Sequence, residues 1–153
     1  MGYKKFISPN EWFSIEMPKD WDEYEDTPKD EGTYAFFNTK EWTGNFRITP
    51  LKITSDEKNN AVRKNVAVEY VREMRNKNTE YLLFKVRDFD CTFYKAYLKG
   101  EDYDDVIYFW NLGVGCDLII CSFTIYKKME GTEKTEMELK NTINKMLESI
   151  KIL

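Results

Sequence analysis

The stretch that most constrains this chain runs from Asp104 to Tyr126 and reads DDVIYFWNLGVGCDLIICSFTIY. Side chains alternate between the two faces of a strand. In its first half, Val106, Tyr108, Trp110 and Leu112 share one face, and Ile107 and Phe109 lie on the other. In its second half, Ile119, Cys121, Phe123 and Ile125 share a face, and Leu118 and Ile120 lie opposite. Both faces are apolar. A sheet solvated on one side shows polar residues at alternate positions, so this hairpin is predicted to sit centrally, covered on both sides. Gly113-Val114-Gly115 reads as its turn.

Two covers are available. Ser55 or Asp56 can cap a helix running to about Asn76, with Val62, Val66, Ala67, Tyr70, Val71 and Met74 as its apolar stripe. Gly131-Thr132 begins a second helix, with Thr135-x-x-Glu138 as a capping box and Leu139, Ile143, Met146, Leu147 and Ile150 as its stripe. The rest reads as strands. Lys4–Ser8 and Trp12–Met17 form an opening hairpin around Pro9-Asn10-Glu11, Thr33–Asn38 and Asn45–Thr54 follow, and Tyr81–Val86 and Cys91–Leu98 come after the first helix. Residues 18–32 are acidic and polar and read as a surface excursion. The expected fold is α+β: an antiparallel sheet of about seven to eight strands with two helices. Its order is ββββαββββα, in a three-layer α/β/α sandwich forming one domain over residues 1–153.

Composition narrows the function classes. At 153 residues, with 42% hydrophobic and 33% charged, the chain can bury a full core. Aromatics at 16% favour sheet and leave area for a binding face. The net charge is −4, with both signs interleaved, which argues against a nucleic-acid partner. No apolar run approaches a membrane span. The opening Met-Gly-Tyr-Lys-Lys-Phe has no apolar signal region, and Phe6 stands where myristoylation needs Ser or Thr. Cys91, Cys116 and Cys121 are odd in number, and Cys116 and Cys121 point to opposite faces of a regular strand, so reduced thiols in a cytoplasmic protein are expected.

Chemistry is narrowed further by the lack of any His. That removes the commonest general base and metal ligand. Cys116-x4-Cys121 has the wrong spacing for zinc, and Gly113-x-Gly115 precedes a strand instead of a helix, which fails the dinucleotide context. Asp102, Asp104 and Asp105 lack the Gly and Glu that a calcium loop needs at its sixth and twelfth positions. No cofactor and no metal are expected, and a catalytic role is not favoured. What stands out is aromatic content in polar segments: Trp21 and Tyr24 in the acidic excursion, and Trp42 and Phe46 flanking Gly44. Aromatics rimmed by charge suit protein interfaces, so these four are the candidate partner-binding residues. The competing reading is that Trp21 caps the core and Trp42 covers a sheet end.

The order of elements resembles the PsbP-like superfamily, which includes the Ran-binding Mog-type proteins. Phe13-Ser14-Ile15-Glu16-Met17-Pro18-Lys19-Asp20-Trp21 is similar to that group's F-x-I-x-x-P-x-x-W entry strand. Leu147-Glu148-Ser149-Ile150-Lys151-Ile152 resembles its usual end. The resemblance points to an uncharacterised bacterial branch. It implies a sandwich used for binding, as in a Ran-binding factor, photosystem subunits and chaperones of secreted effectors, and it transfers no functional residue. The leading expectation is a non-catalytic protein- or peptide-binding domain. Its partner would be basic, steered by the acidic excursion, or a second copy in a homodimer. A small-molecule or lipid carrier with an apolar pocket is the alternative, and a carboxylate-dependent enzyme comes third. Flat and aromatic, deep and apolar, or a cleft with carboxylates: the surface shape separates the three.

Overall fold

A computed structural model describes residues 2–24, 32–52, 65–74 and 80–153. The strands are β1 (Tyr3–Ile7), β2 (Phe13–Pro18), β3 (Trp21–Glu23), β4 (Tyr34–Asn38), β5 (Asn45–Lys52), β6 (Leu82–Val86), β7 (Phe89–Lys99), β8 (Asp104–Val114), β9 (Asp117–Tyr126) and β10 (Lys151–Ile152). Helix α1 (Val66–Met74) separates β5 from β6. The C-terminal helix consists of α2 (Glu133–Met137), a π-helical turn (Glu138–Ile143) and α3 (Asn144–Ser149).

Seven strands form one antiparallel sheet in the order β3-β4-β5-β9-β8-β7-β6, so the two-sided apolar hairpin β8–β9 is central, as its sequence requires. On the inner face, Val106, Tyr108, Trp110, Leu112, Ile119, Cys121, Phe123 and Ile125 are all buried. They pack with Phe46 and Ile48 of β5 and with Ile143, Met146, Leu147 and Ile150 of the C-terminal helix. Burying one such side chain contributes about 1.5–3 kcal/mol, which makes this face the main source of stability. On the outer face, Val66 and Ala67 of α1 pack on Leu118, with Tyr70 and Ile120 beside them. Gly113 lets the helix come this close, because a Cβ there would lie 2.9 Å from the Ala67 nitrogen and inside the Val66 side chain. Gly113 is thus a packing position within β8, and the turn itself is Gly115-Cys116. The start proposed for α1 at Ser55 or Asp56, and Val62 of its stripe, lie outside the described residues.

The sandwich expected from the sequence is present, with one addition. The opening hairpin does not join the large sheet. It forms a three-stranded sheet, β1-β2-β10, with the chain end. Phe13, Ile15 and Met17 face the main core from it. The paired entry and exit motifs have a physical reason here. The Glu16 N–H donates to Ser149 Oγ at 2.8 Å, Ile150 is buried, and Lys151 and Ile152 pair with Ser14 and Phe13. The C-terminal helix cap is also one turn earlier than the capping-box pattern suggests: Thr132 Oγ1 accepts from the Thr135 N–H, and Thr135 itself is buried.

Candidate functional site

A long sheet has two edges, and each exposes unpaired backbone N–H and C=O groups that natural proteins shorten, charge or cover. One edge here is defended in this way. Strand β3 has only three residues, two of them acidic, and Asp22 is paired with Lys4 at 3.0 Å. The other edge is β6, Leu-Leu-Phe-Lys-Val, held by β7 in the register Leu82↔Phe93, Leu83↔Thr92 and Phe84↔Cys91. No strand pairs with its far side among the described residues. Leu82, Leu83 and Phe84 are 64%, 54% and 40% exposed, so three consecutive apolar side chains stand on both faces of an open edge.

Two recesses flank this edge and share Phe93. One is an open depression of about 600 Å³ lined by Glu80, Tyr81, Leu82, Phe93 and Tyr94. The other is a groove of about 350 Å³ between the inner face of β6–β8 and the C-terminal helix. Phe84, Phe93, Tyr108 and Trp110 line its sheet side, and Leu139, Lys140 and Asn144 its helix side. The rings form a contiguous surface: Phe93 lies 5.4 Å from Trp110 and 6.3 Å from Tyr108 between centroids, and Tyr108 lies 6.2 Å from Trp110. At the polar end, Lys95 and Tyr97 both donate to Glu130. The Tyr97 hydrogen bond, ahead of Lys95, holds the Glu130 carboxyl below the usual range. Burial, with Glu130 and Glu136 nearby, pushes the Tyr108 hydroxyl up to about 12.

The four aromatics singled out from the sequence separate into two pairs. Trp21 and Phe46 are buried core residues, so neither is available as a partner-binding residue, and for Trp21 the competing reading, a cap on the core, is the one that matches. Trp21 belongs to β3 and packs inward with the entry strand, and Phe46 pairs across the sheet with Phe123. Tyr24 and Trp42 are half-buried, and the structure brings them together: the Tyr24 hydroxyl and the Trp42 Nε1–H both donate to Asn45 Oδ1. Tyr24 stacks on Phe37 at 4.3 Å, and Trp42 packs on Tyr126 at 5.0 Å. The middle of the acidic excursion, residues 25–31, lies outside the described residues. Sequence reasoning did not single out the β6 edge. Leu82-Leu83-Phe84 breaks the alternation of a half-buried strand, a pattern shared with a fully buried strand, so the sequence marks the run as unusual without marking it as an edge.

No cluster of metal-ligating side chains occurs among the described residues. Cys91 and Cys121 are buried on the inner face, and burial pushes the Cys91 thiol up to about 12 and Cys121 well above its ordinary value. Neither is poised as a nucleophile. No described helix is long and apolar enough to cross a membrane.

Comparison with known proteins gives one family match, to a domain of unknown function (DUF3805), over residues 1–151. Among curated proteins no relative matches. A crystallised protein of Bacteroides thetaiotaomicron VPI-5482 is 30% identical with a TM-score of 0.71. All of this chain aligns, and it spans 49% of that one, about half its length. LpqN, involved in cell envelope biogenesis of Mycobacterium tuberculosis, matches with a TM-score of 0.53 at 10% identity, over 99% of this chain and 90% of that one, a likeness of fold alone. The cyanobacterial PsbP of Synechocystis sp. PCC 6803 is 10% identical with a TM-score of 0.46, over 99% of this chain and 92% of that one. The fold is shared with the Bacteroides protein and with LpqN.

Proposed function

The chain belongs to the DUF3805 family, and for this member we propose a non-catalytic protein-binding role in which an extended segment of a partner adds to β6 as an eighth strand of the sheet. The observation that carries the reading is the contrast between the two edges: β3 is short and acidic, whereas β6 presents Leu82, Leu83 and Phe84 beside unpaired backbone. Strand addition uses both features, with main-chain hydrogen bonds for affinity and side-chain recesses for specificity. Covering three half-exposed side chains contributes about 1 kcal/mol each. Ladder hydrogen bonds add about 1 kcal/mol apiece. After the cost of ordering the segment, binding in the micromolar range is expected. The partner segment alternates apolar residues, which enter the depression lined by Tyr81, Leu82 and Phe93, with polar ones. Open recesses suit this reading better than a carrier, since none of those described is enclosed. A bacterial, cytoplasmic setting is supported by the Bacteroides relative and by the three free thiols.

The test is a displayed library of seven- to nine-residue peptides selected on the wild-type chain and on Leu83→Lys. Leu83 is exposed, so this change should leave stability within about 1 kcal/mol. Peptides with alternating apolar residues that bind the wild type and not the variant support the proposal. Peptides that bind both equally, or no enrichment, contradict it. A doubling of mass in sedimentation that Leu83→Lys abolishes would make a second copy of this chain the occupant instead.

A further inference from the structure

The groove behind β6 contains a feature that strand addition does not use. Tyr108 lines it, is almost wholly buried, and its hydroxyl has no hydrogen-bond partner among the described residues. A buried hydroxyl without a partner lowers stability, and Phe at this position would avoid that loss. A partner strand does not reach it. Tyr108 is on β8, two strands inside β6, and strands lie about 4.8 Å apart, so an added strand would be about 14 Å away.

We infer that this groove is a separate subsite for a neutral aromatic compound bearing a carbonyl group, with Tyr108 Oη donating to the carbonyl oxygen. The rings of Phe84, Phe93, Tyr108 and Trp110 supply an apolar surface, and about 350 Å³ suits a two-ring compound. Leu139 and Lys140, on the facing wall, come from the π-helical turn, a distortion that often marks ligand sites in helices. The charges around the hydroxyl select the ligand's charge. Burial first, and then Glu130 and Glu136, push the Tyr108 hydroxyl up, so it is a donor at neutral pH. Lys95 and Lys140 line the same groove and offset the two carboxylates, so the site as a whole suits an uncharged acceptor. The moving part is Lys95. Its Nζ lies 5.5 Å from the centre of the Tyr108 ring and pairs with Glu130 at 3.3 Å, an exposed and therefore weak contact that can open to admit the ligand.

The experiment titrates three probes by protein-observed NMR: 2-naphthamide, 2-naphthoate, and 2-methylnaphthalene, which lacks the carbonyl. The amide should shift resonances of Phe93, Tyr108, Trp110 and Leu139 and bind more tightly than the other two. Tyr108→Phe should weaken the amide by about three- to tenfold, as for a single hydrogen bond, leave 2-methylnaphthalene unchanged, and keep or raise the melting temperature. Leu139→Trp, which fills the groove, should abolish all three. Equal binding of the amide by wild type and Tyr108→Phe, tighter binding of the naphthoate, shifts elsewhere or none, or a lowered melting temperature in Tyr108→Phe would each overturn the inference. Because Leu83 lies outside the groove, Leu83→Lys should bind the amide normally, which keeps the result independent of the peptide reading.

Discussion

Phe123 and Gly44 meet at the centre of the inner core, and their coupling can be worked out in advance. Phe123 is fully buried on β9, opposite Tyr108 on one side and Phe46 on the other. Its replacement by Ala should cost about 3–5 kcal/mol, the range for large aromatic truncations in a core. With a urea slope of about 2 kcal/mol/M, the unfolding midpoint should fall by about 1.5–2.5 M. Gly44 has φ +144°, and a Cβ there would penetrate the Phe123 ring. Gly44→Ala therefore carries two penalties. Overpacking against the ring costs about 1–3 kcal/mol, and the backbone conformation costs about 1–2 kcal/mol more. Removing the ring removes only the first. In the Phe123→Ala background, Gly44→Ala should cost about 1–2 kcal/mol, leaving a coupling of about 1–3 kcal/mol in a double-mutant cycle by urea unfolding. Additivity within about 0.5 kcal/mol would show that the two residues do not touch. A cost below about 1 kcal/mol for Phe123→Ala would place β9 at the surface and refute the central-hairpin argument.

Three further outcomes are expected. Thiol titration of the native protein should find Cys116 reactive and Cys91 and Cys121 protected, with three free groups after denaturation without reductant; one free group would contradict this. Stability should decline at alkaline pH. Tyr108 and Cys91 are raised from 10.0 and 9.0 to about 12, so the folded state keeps protons that the unfolded state gives up. Their contribution is complete below pH 9, declines as each group passes its unfolded value and is lost by about 12. The urea midpoint should therefore drop between about pH 9 and 12 and drop less in Tyr108→Phe; an unchanged midpoint would refute the assignment. Replacing both Tyr24 and Trp42 by Ala should cost more than about 1 kcal/mol, because the pair shares Asn45 and packs on Phe37 and Tyr126. A smaller loss in urea unfolding would leave the pair free for a contact role.

Much of the fold was legible because its signals are local. Apolar residues on both faces of 104–126 demanded two covers, and the stripes Val66-Ala67-Val71 and Ile143-Met146-Leu147-Ile150 supplied them. What was not legible depends on pairing between distant segments. A core-capping Trp21 was legible, but residues 18–32 read as a surface excursion, and β3, paired with β4, is what places Trp21 in the core. The β10 strand exists only because β2 is there to receive it. The undefended edge is of the same kind. Leu82-Leu83-Phe84 could have been a buried strand, and only the sheet order, with β6 outermost, leaves it open. The Tyr108 hydroxyl was hidden for the opposite reason, since alternation placed the residue in the core without saying what its oxygen would meet.

Amide hydrogen exchange along β6 tests the central proposal most directly. In the free domain, the β6 N–H groups that do not bond to β7 should exchange rapidly, while the amides of β8 and β9 are protected to near the global limit. Adding a selected peptide should slow those outward β6 amides by at least about tenfold, with the central strands unchanged. Peptide binding without new protection on β6, or protection confined to β3, would contradict the account.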